Sequence, residues 1–183
     1  MTGMKLTAQY KERFHKKVRV VPGRTVGFRI DQIKIPGGKL AQREYLAHPG
    51  AVGVLPVDAK GRILLVKQYR YPVAQFTYEI PAGKLAKGED PRDCVERELE
   101  EEAGVRAKRI RHFVSYWPTA AFSNEVIHLY IATGLIETKA HPDDDEFLEL
   151  VRLTPREIDR MIRTGRIGDS KTLIAFLGWK NLR

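Results

Sequence analysis

The sequence predicts an α/β fold, in which short strands fill the first half of the 183 residues and capped helices punctuate the rest. Three observations carry that prediction. Runs of β-branched and aromatic residues, separated by Pro-Gly turns, occupy residues 17 to about 70. One helix lies between Asp90 and Gly104 with a capping residue at each end. Two further helical segments close the chain, one after Thr154 and one after Asp169.

Composition limits what such a fold can do. With 43% hydrophobic and 30% charged residues, the chain reads as a soluble globular protein long enough to bury a sizeable core. No apolar run spans a bilayer, and the opening MTGMKLTAQYKERFHKK lacks the apolar centre of a signal peptide. A single cysteine, Cys94, cannot close an internal disulfide, so the expected location is cytoplasmic and no membrane partner is expected. Cys94 reads as a small packing residue rather than a nucleophile, since no histidine lies near it in sequence. The formal charge of +9 is spread along the chain without a nucleic-acid motif, which favours general surface charge and an anionic small substrate over a nucleic-acid partner.

In chain order, VRVVP, TVGFRI and DQIKI read as short antiparallel strands broken at Pro22-Gly23 and ended by Pro36-Gly37-Gly38. REYLAHPG adds another strand. AVGVLPVD and RILLVKQYR, on either side of Asp58 to Gly61, read as a hairpin with apolar arms buried on both faces. The expected division is an N-terminal β element over 1–46 and a main domain over 47–183. Asp90 is a good N-cap, Pro91 suits the first helical position, Asp93 favours the positive end of the dipole, and Gly104 suits a left-handed C-cap. Val95, Leu99 and Ala103 form the buried stripe of that helix. Strand signal follows in RAKRIRHFVSYW and in EVIHLYIATGL, with a loop from Trp117 to Asn124 between them. Thr154, Pro155 and Glu157 make a capping box ahead of an apolar stripe at Ile158, Met161 and Ile162. The last helix, SKTLIAFLGWKNL, is expected to turn Leu173, Ile174 and Leu177 toward the core.

The first helix carries five glutamates between Glu96 and Glu102. Glu98 and Glu102 project together, and Glu101 crowds the same turn, so the like charges repel unless a cation sits on them. A run of acidic residues is ordinarily a solvated face. Carboxylate oxygens gathered this closely also suit a hard divalent ion such as magnesium or manganese.

The complete spacing decides between the two. Gly83, Glu89, Arg97-Glu98-Leu99, Glu101-Glu102 and Gly104-Val105 stand at every fixed position of the Nudix box, and the chain resembles that family. The resemblance implies an α/β/α sandwich with a mixed β-sheet, plus the N-terminal antiparallel β element. It also implies an enzyme, a pyrophosphohydrolase that uses Mg2+ or Mn2+. Carried onto this chain, Glu98 and Glu102 are the principal metal ligands, Glu101 lies in or near the metal's shell, and the Ala82 carbonyl is a further ligand. Glu89 and Arg97 orient those carboxylates.

Gln68-Tyr69-Arg70 and Glu79-Ile80-Pro81-Ala82-Gly83 resemble the lead-in to the box in ADP-ribose pyrophosphatases and other nucleotide-sugar diphosphatases. There Arg70 would bond a phosphate or ribose oxygen, and Glu79 would support the metals or a ribose hydroxyl. Arg43-Glu44 resembles residues that contact the adenine end across a homodimer built through the N-terminal element. The family's ADP-ribose-specific members read close to PTPGFSNE where this chain has Pro118-Thr119-Ala120-Ala121-Phe122-Ser123-Asn124-Glu125. Ala120-Ala121 in place of Pro-Gly leaves ADP-ribose first and GDP-mannose, dinucleotides or nucleoside triphosphates open. Phe122 and Trp117 could stack on a base, although loop aromatics ordinarily pack on the core, and Glu125 could support the metals. The acidic stretch from Asp143 reads plainly as a solvated turn, but the resemblance implies a loop here whose carboxylate deprotonates water, and it carries that general-base role to Asp145 or Glu146, Glu146 first. A non-catalytic metabolite-binding regulator would ordinarily have lost box glutamates, and none is lost here.

Overall fold

The computed structural model describes residues 10–142 and 147–182. The chain divides into two compact units, one running to Pro49 and including Thr119–Glu125, the other holding Gly50–Pro118 and the chain from Val126 onward.

In the first unit, β1 (Arg13–Val21), β2 (Gly27–Lys34) and β3 (Leu40–Ala47) form an antiparallel sheet in that order. The turn between β2 and β3 closes through Ile35 N–H to Lys39 O at 3.0 Å. Gly37 and Gly38 occupy it at φ of 87° and 85°, a region that penalises residues with a Cβ. β1 begins earlier than its sequence signal and is exposed at all nine positions. The Thr119–Glu125 segment joins β3 through Leu46 N–H to Phe122 O at 2.9 Å and Asn124 N–H to Leu46 O at 3.3 Å.

In the second unit, β4 (Ala51–Val57), β5 (Ile63–Arg70), β8 (Val105–Tyr116), β9 (Ile127–Glu137) and β10 (Glu149–Leu153) lie in the order β10-β5-β4-β9-β8. β6 (Gln75–Glu79) pairs with β5 and β7 (Ala82–Lys84) with β4. β4 and β9 run parallel and the other pairs antiparallel, so the sheet is mixed. Every residue of β4 is buried, as its unbroken apolar run requires.

The hairpin expected around Asp58 to Gly61 is corrected in its extent. Its turn forms, with Asp58 N–H to Arg62 O and Gly61 N–H to Asp58 O both at 2.9 Å, but β4 and β5 pair only at Val57 and Ile63. Beyond that point β4 gives its edge to β7, from Ala51–Lys84 to Gly53–Ala82, with Val54 N–H reaching Pro81 O. The arms thus open, and the Pro81–Gly83 lead-in threads between them.

Helices cover both faces of this sheet. On one side α1 (Pro91–Ala103) lays Cys94, Val95, Leu99 and Ala103 against Val52, Val54, Leu64 and Tyr130. On the other, α2 (Pro155–Arg163) and α3 (Ser170–Asn181) pack Ile158, Met161, Ala175 and Phe176 against Leu55, Ile63, Leu65 and Leu129. The capping box of α2 forms as read, with Ile158 and Met161 buried and Ile162 half-buried. The expected inner face of α3 holds only at Leu173 and fails at Ile174 and Leu177. Thr172, Ala175, Phe176 and Trp179 are buried, while Leu173 is only partly covered and Ile174 and Leu177 are exposed. α3 is apolar nearly all round, so the tight approach to Phe113 selects the face. A Cβ on Gly178 would stand 2.3 Å from the Phe113 ring.

Candidate functional site

The α1 helix starts and stops where its sequence dictates. Asp90 accepts the Arg92 N–H at 2.8 Å, Pro91 occupies the first turn, and Gly104 ends the helix at φ 60°. This phase buries the Val95–Leu99–Ala103 stripe and carries Glu98 and Glu102 with it, to 7% and 6% exposure. Buried carboxylates require strong partners. Glu102 accepts the Ala82 N–H at 3.0 Å, and Glu98 accepts from Arg97 Nη1 at 2.7 Å.

Gly83 makes room for this arrangement. A Cβ there would sit 1.7 Å from Glu98 Oε1, so any larger residue displaces that carboxylate. Arg97 gathers the remaining acids, bonding Glu101 at 2.8 Å and Glu89 at 3.1 Å. Burial pushes the Arg97 guanidinium down, but the bond to Glu89 and the charge of Glu98 outweigh it and hold it above its ordinary value. Glu89 is held below the ordinary carboxylate range chiefly by the Ala86 N–H donated to it at 2.7 Å.

Among the described residues, no three histidine, cysteine or acidic side chains are gathered around one point as in a formed metal centre. The donor set nevertheless fits a hard divalent cation. Glu89, Glu98 and Glu101 share one guanidinium, and Glu102 stands on the same helix face as Glu98. Swinging Arg97 aside would release one oxygen each of Glu98 and Glu101, besides those of Glu89.

A second cluster lies on β5, β6 and α3. Arg70 grips Glu79 through Nε at 2.8 Å and Nη2 at 2.7 Å, and Thr77 and Lys171 also donate to that carboxylate. Lys171 in turn bonds Asp169 at 2.8 Å, and Asp169 caps α3 through the Thr172 N–H. Glu79 is 2% exposed. Burial pushes its carboxyl up, but the Arg70 hydrogen bond and the Lys171 charge prevail and hold it at about 2. Hydrogen bonding to Glu79 raises Arg70 against its own burial, and the Glu102 charge adds to that, tying the two clusters together electrostatically. Beside this network is a cavity of about 640 Å³ lined by Arg70, Phe76, Glu79, Arg166, Ser170 and Lys171.

The structure thus brings Glu98, Glu101, Glu102, Arg97 and Ala82 together, and separately Arg70 with Glu79. Arg70, expected to reach for substrate, has two nitrogens committed to Glu79. Lys171 and Thr77 complete that cluster with Asp169, and their part in it escaped the sequence reading, because nothing in SKTLIAF or QFTYE marks a residue that meets Glu79. Arg43, Glu44, Phe122 and Glu125 belong to the first unit. There Arg43 bonds Glu12 through Nε at 3.1 Å, and Glu125 lies 3.7 Å from His48 Nδ1. Phe122 is 56% exposed and Trp117, in the second unit, 65% exposed, so neither packs on the core as loop aromatics ordinarily do. Asp145 and Glu146 lie outside the described residues.

A family profile, the NUDIX domain, matches residues 47–176. The chain is 42% identical over 168 residues to the methanol dehydrogenase activator of Bacillus methanolicus, covering 91% of each chain. It is 36% identical over 167 residues to the ADP-ribose pyrophosphatase of Bacillus subtilis (strain 168), covering 90% of each. Its fold is shared with a crystal structure described as an ADP compounds hydrolase, at TM-score 0.82 and 16% identity over 94% of both chains. With the box glutamates in place on α1, these likenesses place the chain in the Nudix family, as a pyrophosphohydrolase of the branch that holds the ADP-ribose pyrophosphatases.

Proposed function

We propose that the chain hydrolyses the diphosphate linkage of a nucleoside diphosphate sugar, with ADP-ribose as the first candidate and AMP and ribose 5-phosphate as the products. The observation that carries this reading is the pair of buried glutamates, Glu98 and Glu102, on one face of α1, with the Glu98 carboxylate filling the room that Gly83 leaves. The 36% identity to an ADP-ribose pyrophosphatase supports the substrate class. GDP-mannose, dinucleotides and nucleoside triphosphates are the other substrates to compare.

Glu98, Glu102, Glu101 and the Ala82 carbonyl would hold Mg2+ or Mn2+. When bound, such ions neutralise the diphosphate and activate water. Arg97 and Glu89 hold the carboxylates close together at α1, and Arg97 would give up its bonds to Glu98 and Glu101 when the ions bind. Arg70, anchored by Glu79, presents Nη1, which takes no part in that pair, to a phosphate oxygen. A carboxylate from the acidic stretch, Glu146 ahead of Asp145, takes the proton of the attacking water. That water adds to one phosphorus, and the bridging oxygen leaves with the other.

The N-terminal element over 1–46 is proposed to pair with a second copy of the chain, making a homodimer to which Arg43, Glu44 and Phe122 contribute substrate contacts. Its support is β1, whose exposed positions include Phe14, Val18 and Val20. Light scattering that gave a monomer mass at micromolar concentration would remove the dimer.

The test of activity is a panel of ADP-ribose, GDP-mannose, NADH, a diadenosine polyphosphate and dGTP, with magnesium or manganese, resolved by product. AMP and ribose 5-phosphate from ADP-ribose support the reading. Pyrophosphate from dGTP with ADP-ribose untouched overturns it. The relative named as a methanol dehydrogenase activator raises a second reading, action on a partner dehydrogenase. If Glu102→Gln abolished hydrolysis but still stimulated such an enzyme, regulation without catalysis would be the better account.

A further inference from the structure

The β8–β9 hairpin carries a group that the diphosphate reaction does not use. Phe113 and Val114, consecutive residues of β8, both pack against the core cluster on the α2–α3 side. A regular strand alternates its faces, so this is a β-bulge, and the pairing with β9 slips between His112 and Val114. Its consequence falls on the opposite face. His112 and Ser115, three residues apart, now point the same way, toward the α1 side where His112 abuts Tyr130 with ring centroids 5.3 Å apart. Ser115 pairs across the sheet with His128.

The three side chains converge. His112 Nε2 lies 2.9 Å from Ser115 Oγ, and His128 Nδ1 lies 2.7 Å from the same oxygen. A hydroxyl has one proton, so it donates to one imidazole and accepts from the other. Two ring nitrogens, one from each strand, thus face a single hydroxyl oxygen.

We propose that His112, His128 and the Ser115 hydroxyl form a second cation site, for a borderline transition ion such as zinc or copper(II). Imidazole nitrogen suits these ions, whereas the carboxylates on α1 suit magnesium and manganese, so the protein separates two classes of cation by ligand chemistry. Burial, and then the neighbouring His112, lower the His128 pKa and keep its ring in the neutral form that binds metal. An ion held at ~2.1 Å by all three groups would set each nitrogen roughly 3.4 Å from the hydroxyl oxygen, so the rings and Ser115 would draw apart by a few tenths of an ångström to admit it, with water completing the shell.

The experiment uses the untagged full chain carrying Glu98→Gln and Glu102→Gln, which removes the carboxylate site from competition. One equivalent of copper(II) is expected to give an electron paramagnetic resonance spectrum with splitting from two nitrogens. The same protein should bind zinc in competition with a chromophoric chelator. Adding His112→Gln and His128→Gln should abolish the nitrogen splitting and weaken zinc binding at least tenfold. His112→Gln alone, at an exposed position, keeps the fold and should leave one nitrogen. An oxygen-only spectrum in the starting protein overturns the proposal. So does a nitrogen pattern or zinc affinity that survives the double substitution, since His15, His48 or His141 would then be the ligands.

Discussion

Around Glu79 two carboxylates, its own and that of Asp169, meet two cations, Arg70 and Lys171. Around Arg97 three carboxylates share a single guanidinium, with the buried Glu102 beside them on α1. Both clusters are partly buried, and both rest on residues at the ends of the same β5–β7 segment. Their charge balances differ, and so do the tasks they suit. The first is closed and neutral, which stabilises the fold. The second gathers three carboxylates on one guanidinium, a balance that suits an added cation and makes it the place for chemistry.

The sharpest way to break this contrast is Glu102→Gln. The amide can still accept the Ala82 N–H, so the fold should hold within ~0.5 kcal/mol while turnover falls by roughly three orders of magnitude. Near-normal turnover by the folded variant would refute the division of labour. In the neutral cluster, Lys171→Met should do the reverse and remove about 3 kcal/mol of stability in urea unfolding, because it strips a cation from a carboxylate that is 2% exposed.

Acid should find the same weak point. Glu79 sits at about 2 when folded against an ordinary 4.5, so its contribution is complete above about pH 4.5 and is lost as pH falls toward 2. A depression of that size corresponds to roughly 3 kcal/mol. Thermal unfolding between pH 5 and 2 should show a shallower fall in Glu79→Gln than in the native chain. The smallest effect is expected from Gly83→Ala, whose methyl group displaces Glu98 without removing it. Manganese affinity should weaken by about tenfold to a hundredfold, as when a metal ligand loses its orientation.

Local signals were legible in the sequence, and pairings made at a distance were not. Asp90, Pro91 and Gly104 mark α1 at both ends, and Thr154 with Glu157 marks α2, because caps act within one turn. Glu98, Glu101 and Glu102 were legible for the same reason, since they lie within about one turn of α1. In α3, by contrast, apolar residues surround the helix and hydrophobicity cannot choose among its faces. The choice of Thr172, Ala175, Phe176 and Trp179 over Ile174 and Leu177 is made by a strand far away in sequence. The commitment of Arg70 to Glu79 and Lys171 likewise depends on three elements meeting. The bulge at Phe113 leaves no mark in RIRHFVSY, so His112 and Ser115 appear there to face opposite ways.

Cys94 lies inside α1 with its sulfur 3.7 Å from the Lys84 carbonyl oxygen and 3.3 Å from Arg97 Nη2. Burial pushes its thiol up to about 12 despite the opposing Arg97 charge. Alkylating reagents attack the thiolate, so iodoacetamide should stay inert toward the native chain and react only when α1 lifts from the sheet. As the sole thiol, Cys94 makes labelling rate a direct clock for the opening of the helix that carries the glutamates, and added manganese should slow that clock.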